Sequence, residues 1–282
     1  MPKVTLAHSP DPDDAFMFYA LAENKIDTGD WEFEHELQDI QTLNERAFKG
    51  ELDITAVSIH AYCHLTDQYI LTPCGASMGD GYGPILIGKK KFSKDELKSI
   101  RIAVPGKLTS AYLQLQLYLE ARDEELNTVV VPFDEIFQAV NEGKADAGLV
   151  IHEGQITWEE EGFTLSEDLG IWWKEETGGL PLPLGGNVIK KSFSQEAQEE
   201  ITRILRESIR YGLEHREAGV IHSMPLGRGL NQAKTDRFVG MYVNELTLDY
   251  GERGRNGIRE FLKRSYEAGL LSSPVTPEFV EA

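Results

Sequence analysis

An α/β fold in two lobes is predicted by three features of this 282-residue sequence. Short apolar runs of β character alternate with helical stretches, the pattern of parallel sheet joined by right-handed crossovers. A glycine-rich stretch, Gly75 to Gly88, interrupts that pattern, and a fresh α/β series follows it. A second stretch rich in glycine and proline, Gly178 to Gly186, precedes a return strand and a helical tail. The chain is therefore expected to leave a first lobe near residue 88 and re-enter it near residue 186. Residues 1–88 with 186–282 make the larger lobe, and residues 89–185 the smaller. Two such crossings imply a hinged clamp with a central cleft, and domain interfaces are favoured ligand sites.

The elements follow in order. Val4 to His8 reads as a strand, Ser9-Pro10-Asp11-Pro12-Asp13-Asp14 as a turn, and Ala15 to Glu23 as a helix with Asp13 or Asp14 as N-cap. Trp31 to Leu37 alternates apolar and polar residues, as a half-exposed strand does. Thr42 to Lys49 is helical and closes on Gly50. Asp53 to Val57 and Tyr69 to Thr72 are short strands, with a helix from Ile59 to Thr66 behind Ser58. In the second series, strands are expected at Ser99 to Val104, Val129 to Val131 and Ala147 to Ile151. Helices are expected at Ala111 to Ala121 and Asp134 to Glu142. After the strand Asn187 to Lys190, the tail reads as helices at Gln195 to His215, Asn231 to Leu246 and Gly257 to Ala268.

Composition narrows the function. The formal charge is -19, from 47 acidic and 28 basic residues. That balance repels phosphate backbones and anionic membranes, which argues against nucleic-acid and membrane partners. Hydrophobic residues make up 41% and charged residues 27%, the range of an ordinary globular protein. The N-terminus lacks the apolar core and small-residue cleavage site of a signal peptide. No apolar run reaches the roughly 18 residues of a membrane span. A cytoplasmic location is expected, with Cys63 and Cys74 reduced.

The stretch Ala145-Asp146-Ala147-Gly148-Leu149-Val150-Ile151-His152-Glu153 ends a β run abruptly on an imidazole and a carboxylate. In open α/β sheets, ligands sit just beyond the carboxyl ends of strands. His152 is therefore the candidate proton-transfer residue, and the competing reading is a hydrogen-bonded loop histidine. Thr109-Ser110 opens a helix after a strand and loop, where hydroxyls and N–H groups suit a carboxylate or hydroxylated ligand, or simply cap the helix. Asp11, Asp13 and Asp14 lack calcium-loop spacing, and His60 and His64 share a helical face without further ligands in reach, so no metal is expected. Trp172-Trp173 reads as core, or as the wall of an aromatic ligand's site. Gly251 to Gly257 has spaced glycines but follows no strand, so it is expected to be a loop before the last helix.

Several motifs then occur in a telling order: Ser9 to Leu21, Gln38-Asp39-Ile40-Gln41-Thr42-Leu43-Asn44, Val57-Ser58, Gly79-Asp80-Gly81-Tyr82-Gly83-Pro84 and Ile151-His152-Glu153. With them, the chain resembles the 1,4-dihydroxy-6-naphthoate synthases, which act on cyclic dehypoxanthine futalosine in the futalosine route to menaquinone. The resemblance runs over nearly the whole chain. It implies a fold like the type 2 periplasmic binding proteins and a lyase that uses no cofactor. It implies that His152 is the base and that Asp14, Asn44, Ser58, Thr109 and Ser110 bind a carboxylated small-molecule substrate. The chain departs from relatives at Asp11 and Asp13, where many have Cys and Asn, and at Ala56, where some have lysine. The rival readings are chorismate dehydratase of the same pathway and a solute-binding protein that catalyses nothing.

Overall fold

The computed structural model describes residues 2–281. The strands, in chain order, are β1 (Lys3–His8), β2 (Glu32–Leu37), β3 (Ile54–Ser58), β4 (Tyr69–Leu71), β5 (Ser77–Gly79), β6 (Ile85–Gly88), β7 (Ile102–Val104), β8 (Thr128–Val130), β9 (Ala147–Val150), β10 (Thr164–Asp168) and β11 (Leu182–Lys190). The α-helices are α1 (Pro12–Met17), α2 (Tyr19–Ala22), α3 (Ile40–Phe48), α4 (Ile59–Tyr62), α5 (Lys94–Ser99), α6 (Ser110–Leu119), α7 (Ile136–Asn141), α8 (Gly154–Thr157), α9 (Leu169–Glu176), α10 (Gln195–Glu214), α11 (Arg216–Ser223), α12 (Gln232–Tyr242), α13 (Glu245–Leu248) and α14 (Gly251–Glu267). They divide between two compact units. The first holds residues up to 78, 183–255 and from 277 onward, and the second holds 79–182 with 256–276.

In the first unit the strand order is β2-β1-β3-β11-β4, with β5 added to β11. β1 is parallel to β2 and β3, while β11 runs antiparallel to β3 and β4. β3 is buried along its whole length, as expected of a parallel strand covered on both faces. The polar edge strand β2, with Glu32, Glu34 and Glu36, keeps the sheet from extending further. One face packs on α10, whose Ile201, Ile204, Leu205 and Ile209 recur at helical spacing and are fully buried. On the other face, Leu43 of α3 meets Ala7, Leu52 and Ala56. Phe16 is also fully buried in the first core, beside Gly212 and Gly219, where an added methyl would come within 3.1 and 2.7 Å of its ring.

In the second unit the order is β10-β6-β9-β7-β8. β7 is parallel to β8 and β9, and β6 is antiparallel to β9 and β10. One face packs on α5 and α6 through Leu97, Tyr112, Leu115 and Leu119, the other on α7 through Ile136 and Val140.

The unit boundaries depart from those expected at 88 and 186, and the reason is hydrogen bonding. β6 pairs with β9 and β10, so the chain has joined the second sheet by Ile85. Nor does the helical tail belong wholly to the first unit. From Asn256 it packs with the second, where Phe261 meets the Trp173 ring at 5.7 Å and Arg264 donates to the Glu176 carbonyl. Trp173 is core, and its Nε1 donates to the Pro181 carbonyl at 3.1 Å.

Other expectations change for local reasons. Gly251 to Gly257 is not a loop but the opening of α14, started by Asp249 accepting from the Gly251 N–H at 2.8 Å. Its glycines serve close packing: a methyl on Gly257 would lie 2.7 Å from the Pro181 carbonyl oxygen. The first helix breaks at Phe18 into α1 and α2, and neither Asp13 nor Asp14 is the N-cap. That position is Asp11, which makes no side-chain cap bond because its carboxylate is bonded to Arg228 and Ser9. α5, α8, α9, α11 and β10 also form where no element was expected. α9 is started by Asp168, which accepts from the Gly170 and Ile171 N–H groups.

The Gly79 to Pro84 motif owes its glycines to backbone contact. A Cβ on Gly170 would lie 1.9 Å from the Tyr82 carbonyl oxygen, and one on Gly79 2.0 Å from the same atom. Backbone at that distance cannot move aside cheaply. Gly170→Ala is therefore expected to lower the stability of the second unit by about 3 kcal/mol or more, the upper range of overpacking costs, as measured by urea unfolding.

Candidate functional site

Because β1, β2 and β3 run parallel, their carboxyl ends lie along one edge of the first sheet. The Ser9–Asp14 turn leaves β1 there, and Ser58 ends β3 beside it. In the turn, Asp14 accepts from the Ser9 N–H at 2.8 Å. Asp11, 1% exposed, accepts from the Arg228 guanidinium at 2.7 Å and from the Ser9 hydroxyl. Asp13 accepts from the Ser77 hydroxyl at 3.4 Å, while its Oδ1 is buried without a hydrogen-bond partner. Burial pushes the Asp14 carboxyl up to about 7, against the opposing pull of the Ser9 N–H. Burial, then the neighbouring Asp14 and Asp11, hold Asp13 well above the ordinary carboxylate range.

His8 stands at the root of this turn. Its Nδ1 lies 3.1 Å from the Ser9 carbonyl oxygen, which can only accept. The bonding therefore assigns the proton to Nδ1 and leaves Nε2 to accept from His35 Nδ1, 3.2 Å away. Burial first, and then His35, depress the His8 imidazole to about 4.

Asn44 and Ser58 form a reciprocal pair. The Asn44 amide donates to Ser58 Oγ at 3.1 Å, and its carbonyl oxygen accepts from the Ser58 N–H at 2.9 Å. Asn44 is fully buried on α3, whose start is fixed by Asp39 accepting from the Thr42 N–H. With Oγ receiving a donor, the hydroxyl proton of Ser58 is directed elsewhere.

In the second unit, β7, β8 and β9 are parallel and end at one edge. The loop to α6 carries Thr109 and Ser110, the turn after β8 carries Phe133, and the turn after β9 carries His152. Thr109 is the N-cap of α6: it accepts from the Tyr112 N–H at 3.2 Å and donates to the Gly106 carbonyl at 2.7 Å. Its hydroxyl proton is thus held internally. His152 has a φ of 55°, a left-handed conformation that costs free energy in a residue with a Cβ. The turn is closed by its carbonyl accepting from the Gln155 N–H at 3.1 Å. The imidazole meets Phe133 edge-on, with ring centroids 4.6 Å apart. Strain at a strand end, with an aromatic fixing the ring, is a common mark of a functional position.

The candidates thus fall into two groups. Asp14, Asn44 and Ser58 share the carboxyl edge of the first sheet, and Thr109, Ser110 and His152 that of the second. Elsewhere, α4 ends at Tyr62, so His60 and His64 do not share the helical face expected of them, and their rings lie tilted to each other with centroids 6.2 Å apart. Among the described residues, no group of three or more His, Cys, Asp or Glu side chains is placed to hold a metal. Burial pushes both thiols up to about 12, which makes neither a ready nucleophile.

The family model described as menaquinone biosynthesis matches residues 4–267. The chain belongs to that family. The 1,4-dihydroxy-6-naphtoate synthase of Thermus thermophilus is 33% identical over 99% of this chain and 100% of its own. The enzyme of the same name from Streptomyces coelicolor is 36% identical over 94% of each chain. Protein AF1704 from Archaeoglobus fulgidus, of known crystal structure, is 44% identical, with a TM-score of 0.90 over 95% of this chain and 98% of that one. The alkanesulfonate-binding protein SsuA from Xanthomonas axonopodis pv. citri, at 12% identity and a TM-score of 0.73 over 97% of this chain and 95% of its own, shows the same periplasmic-binding-protein fold. The expected two-lobed fold class is therefore that of this menaquinone-biosynthesis chain.

Sequence reading missed Phe133, Arg228 and the His8–His35 pair. No local pattern signals them, since each partner lies on a different element. Two outcomes are expected. Asn44→Ala leaves the buried Ser58 N–H unsatisfied and should cost about 2–4 kcal/mol in urea unfolding, more than Ser58→Ala. The His8 imidazole, depressed in the folded state, contributes stability that is complete above its unfolded value of 6.5 and is lost as pH falls toward 4. Thermal unfolding from pH 8 to 4 should show this loss, and His8→Leu should remove roughly 2–4 kcal/mol of that dependence.

Proposed function

We propose that this chain is a 1,4-dihydroxy-6-naphthoate synthase. It converts cyclic dehypoxanthine futalosine to the aromatic naphthoate as a carbon–carbon lyase, with His152 as the base. The observation that carries this reading is the strained His152 turn at the carboxyl edge of the second sheet. The shared name of two relatives matching nearly the full chain supports the same reaction.

The reaction removes a sugar-derived three-carbon piece, and gain of an aromatic ring supplies driving force without an electron acceptor. It needs a base and a place for developing negative charge. Histidine is the side chain whose ordinary titration range lies nearest neutrality. The edge contact with Phe133 limits rotation of the imidazole and so holds its nitrogens in one direction. The N–H groups at the start of α6, with Ser110, are suited to an oxyanion or a carboxylate. In the first unit, Asn44 holds the Ser58 hydroxyl ready to donate to a substrate oxygen. Asp14 lies in the adjoining turn as a further polar contact.

His152→Asn keeps a residue that tolerates the left-handed turn but cannot take up the proton. It should fold with unchanged thermal stability and lose roughly 10²–10⁴-fold in turnover. Full activity in that variant removes His152 from the mechanism. Incubating the wild-type enzyme separately with the cyclic futalosine derivative and with chorismate decides the substrate: conversion of chorismate alone would make the chain a dehydratase.

A further inference from the structure

The carboxyl groups of the Ser9–Asp14 turn are not equivalent. Asp11 is paired with Arg228, and Asp14 accepts a backbone N–H. Asp13 is 6% exposed, has only the long contact from Ser77 at Oδ2, and has no partner at Oδ1. The charged and titratable groups around it do not offset a carboxylate there. Within the turn, Asp11 and Asp14 repel it. On α11, Arg216 lies over the Phe16 ring and donates to Asp236, and His222 faces Glu23. His8 is buried and held neutral by the bonding described above.

Ser77 also fixes where this carboxyl lies. It opens β5, which pairs with β11, and Gly185 of β11 is the register partner of Ser58. Asp13 and Ser58 therefore belong to the same end of the first sheet. Ser58 has a proton to give, because Asn44 donates into its oxygen. An uncharged acid and a hydroxyl at one sheet end form a donor set for an anionic oxygen, in a chain whose overall charge of -19 otherwise repels anions.

Resting on the synthase reading, we propose that Asp13 is a substrate-binding residue that donates a hydrogen bond from its unpartnered Oδ1 to the carboxylate of the substrate, at the sheet end that also carries Ser58. Burial and the two neighbouring aspartates favour that protonated form. A carboxylic acid held neutral at physiological pH is an effective donor to an anion, since the bond is charge-assisted.

The test is steady-state turnover of the cyclic futalosine derivative from pH 6 to 9.5 by the wild type, Asp13→Asn and Asp13→Leu. The Asn variant keeps a donor that cannot ionise. It should hold KM within about threefold of the wild type. The Leu variant should raise KM about tenfold or more with a smaller change in kcat, the cost of one hydrogen bond to a charged group. An unchanged KM in Asp13→Leu, or a KM in Asp13→Asn as high as in Asp13→Leu, overturns the assignment while leaving the synthase reading in place. Absence of any turnover by the wild type overturns both. Should Asp13→Leu fail to fold by thermal unfolding, Asp13→Ala, which removes the donor without adding bulk, takes its place in the KM comparison.

Discussion

Desolvation is the constraint on which the first unit's functional edge depends. Three aspartates and a histidine are buried within one strand end and the turn that follows it. Water cannot stabilise their charges, so each must find a partner or lose its charge. Asp11 takes the first course through Arg228, while His8 and Asp13 take the second. The outcome is an edge nearly free of net charge inside a strongly acidic protein. Loss of the Arg228 pairing would disturb this balance, because a buried carboxylate without its cation is far more costly than a paired one.

The histidine and the acids oppose each other in their effect on stability. His8, depressed in the folded state, favours folding above its window and withdraws that support as pH falls. Asp14, raised to about 7, favours folding at low pH and withdraws support as pH rises through that value. Both effects follow from one cause, the preference of a dry interior for uncharged groups. Because the two windows nearly coincide, the effects largely offset each other between about pH 4 and 6.5.

The second unit reaches its functional edge by strain and packing rather than by titration. Its sheet is held in register by buried strands, and the close approach of Gly170 to Tyr82 locks α9 against the preceding loop. That rigidity supports a left-handed residue at the end of β9, a conformation that persists only when its surroundings over-determine it. The closing hydrogen bond to Gln155 and the Phe133 ring supply such surroundings. Thr109 illustrates the opposite case: a hydroxyl at the expected place whose bonds are taken up in starting a helix.

The sequence by itself determined the alternation of strands and helices, the fold class, and the placing of His152 at a strand end. These follow from local periodicity, glycine and proline punctuation, and the geometry of parallel sheets. Motif order also pointed to Asn44 and Ser58, though not to the reciprocal bonds that join them. Tertiary structure alone decided the rest. The unit boundaries turned on which strands β6 hydrogen-bonds. Gly257 of α14 reads as a loop residue because its use, close packing on Pro181, is invisible in the local pattern. The neutrality of His8 depends on burial and on His35, which is distant in sequence, and that of Asp13 on burial and the aspartates beside it. Charge state in a folded chain is set by neighbours and by the exclusion of water, and both exist only once the chain has folded.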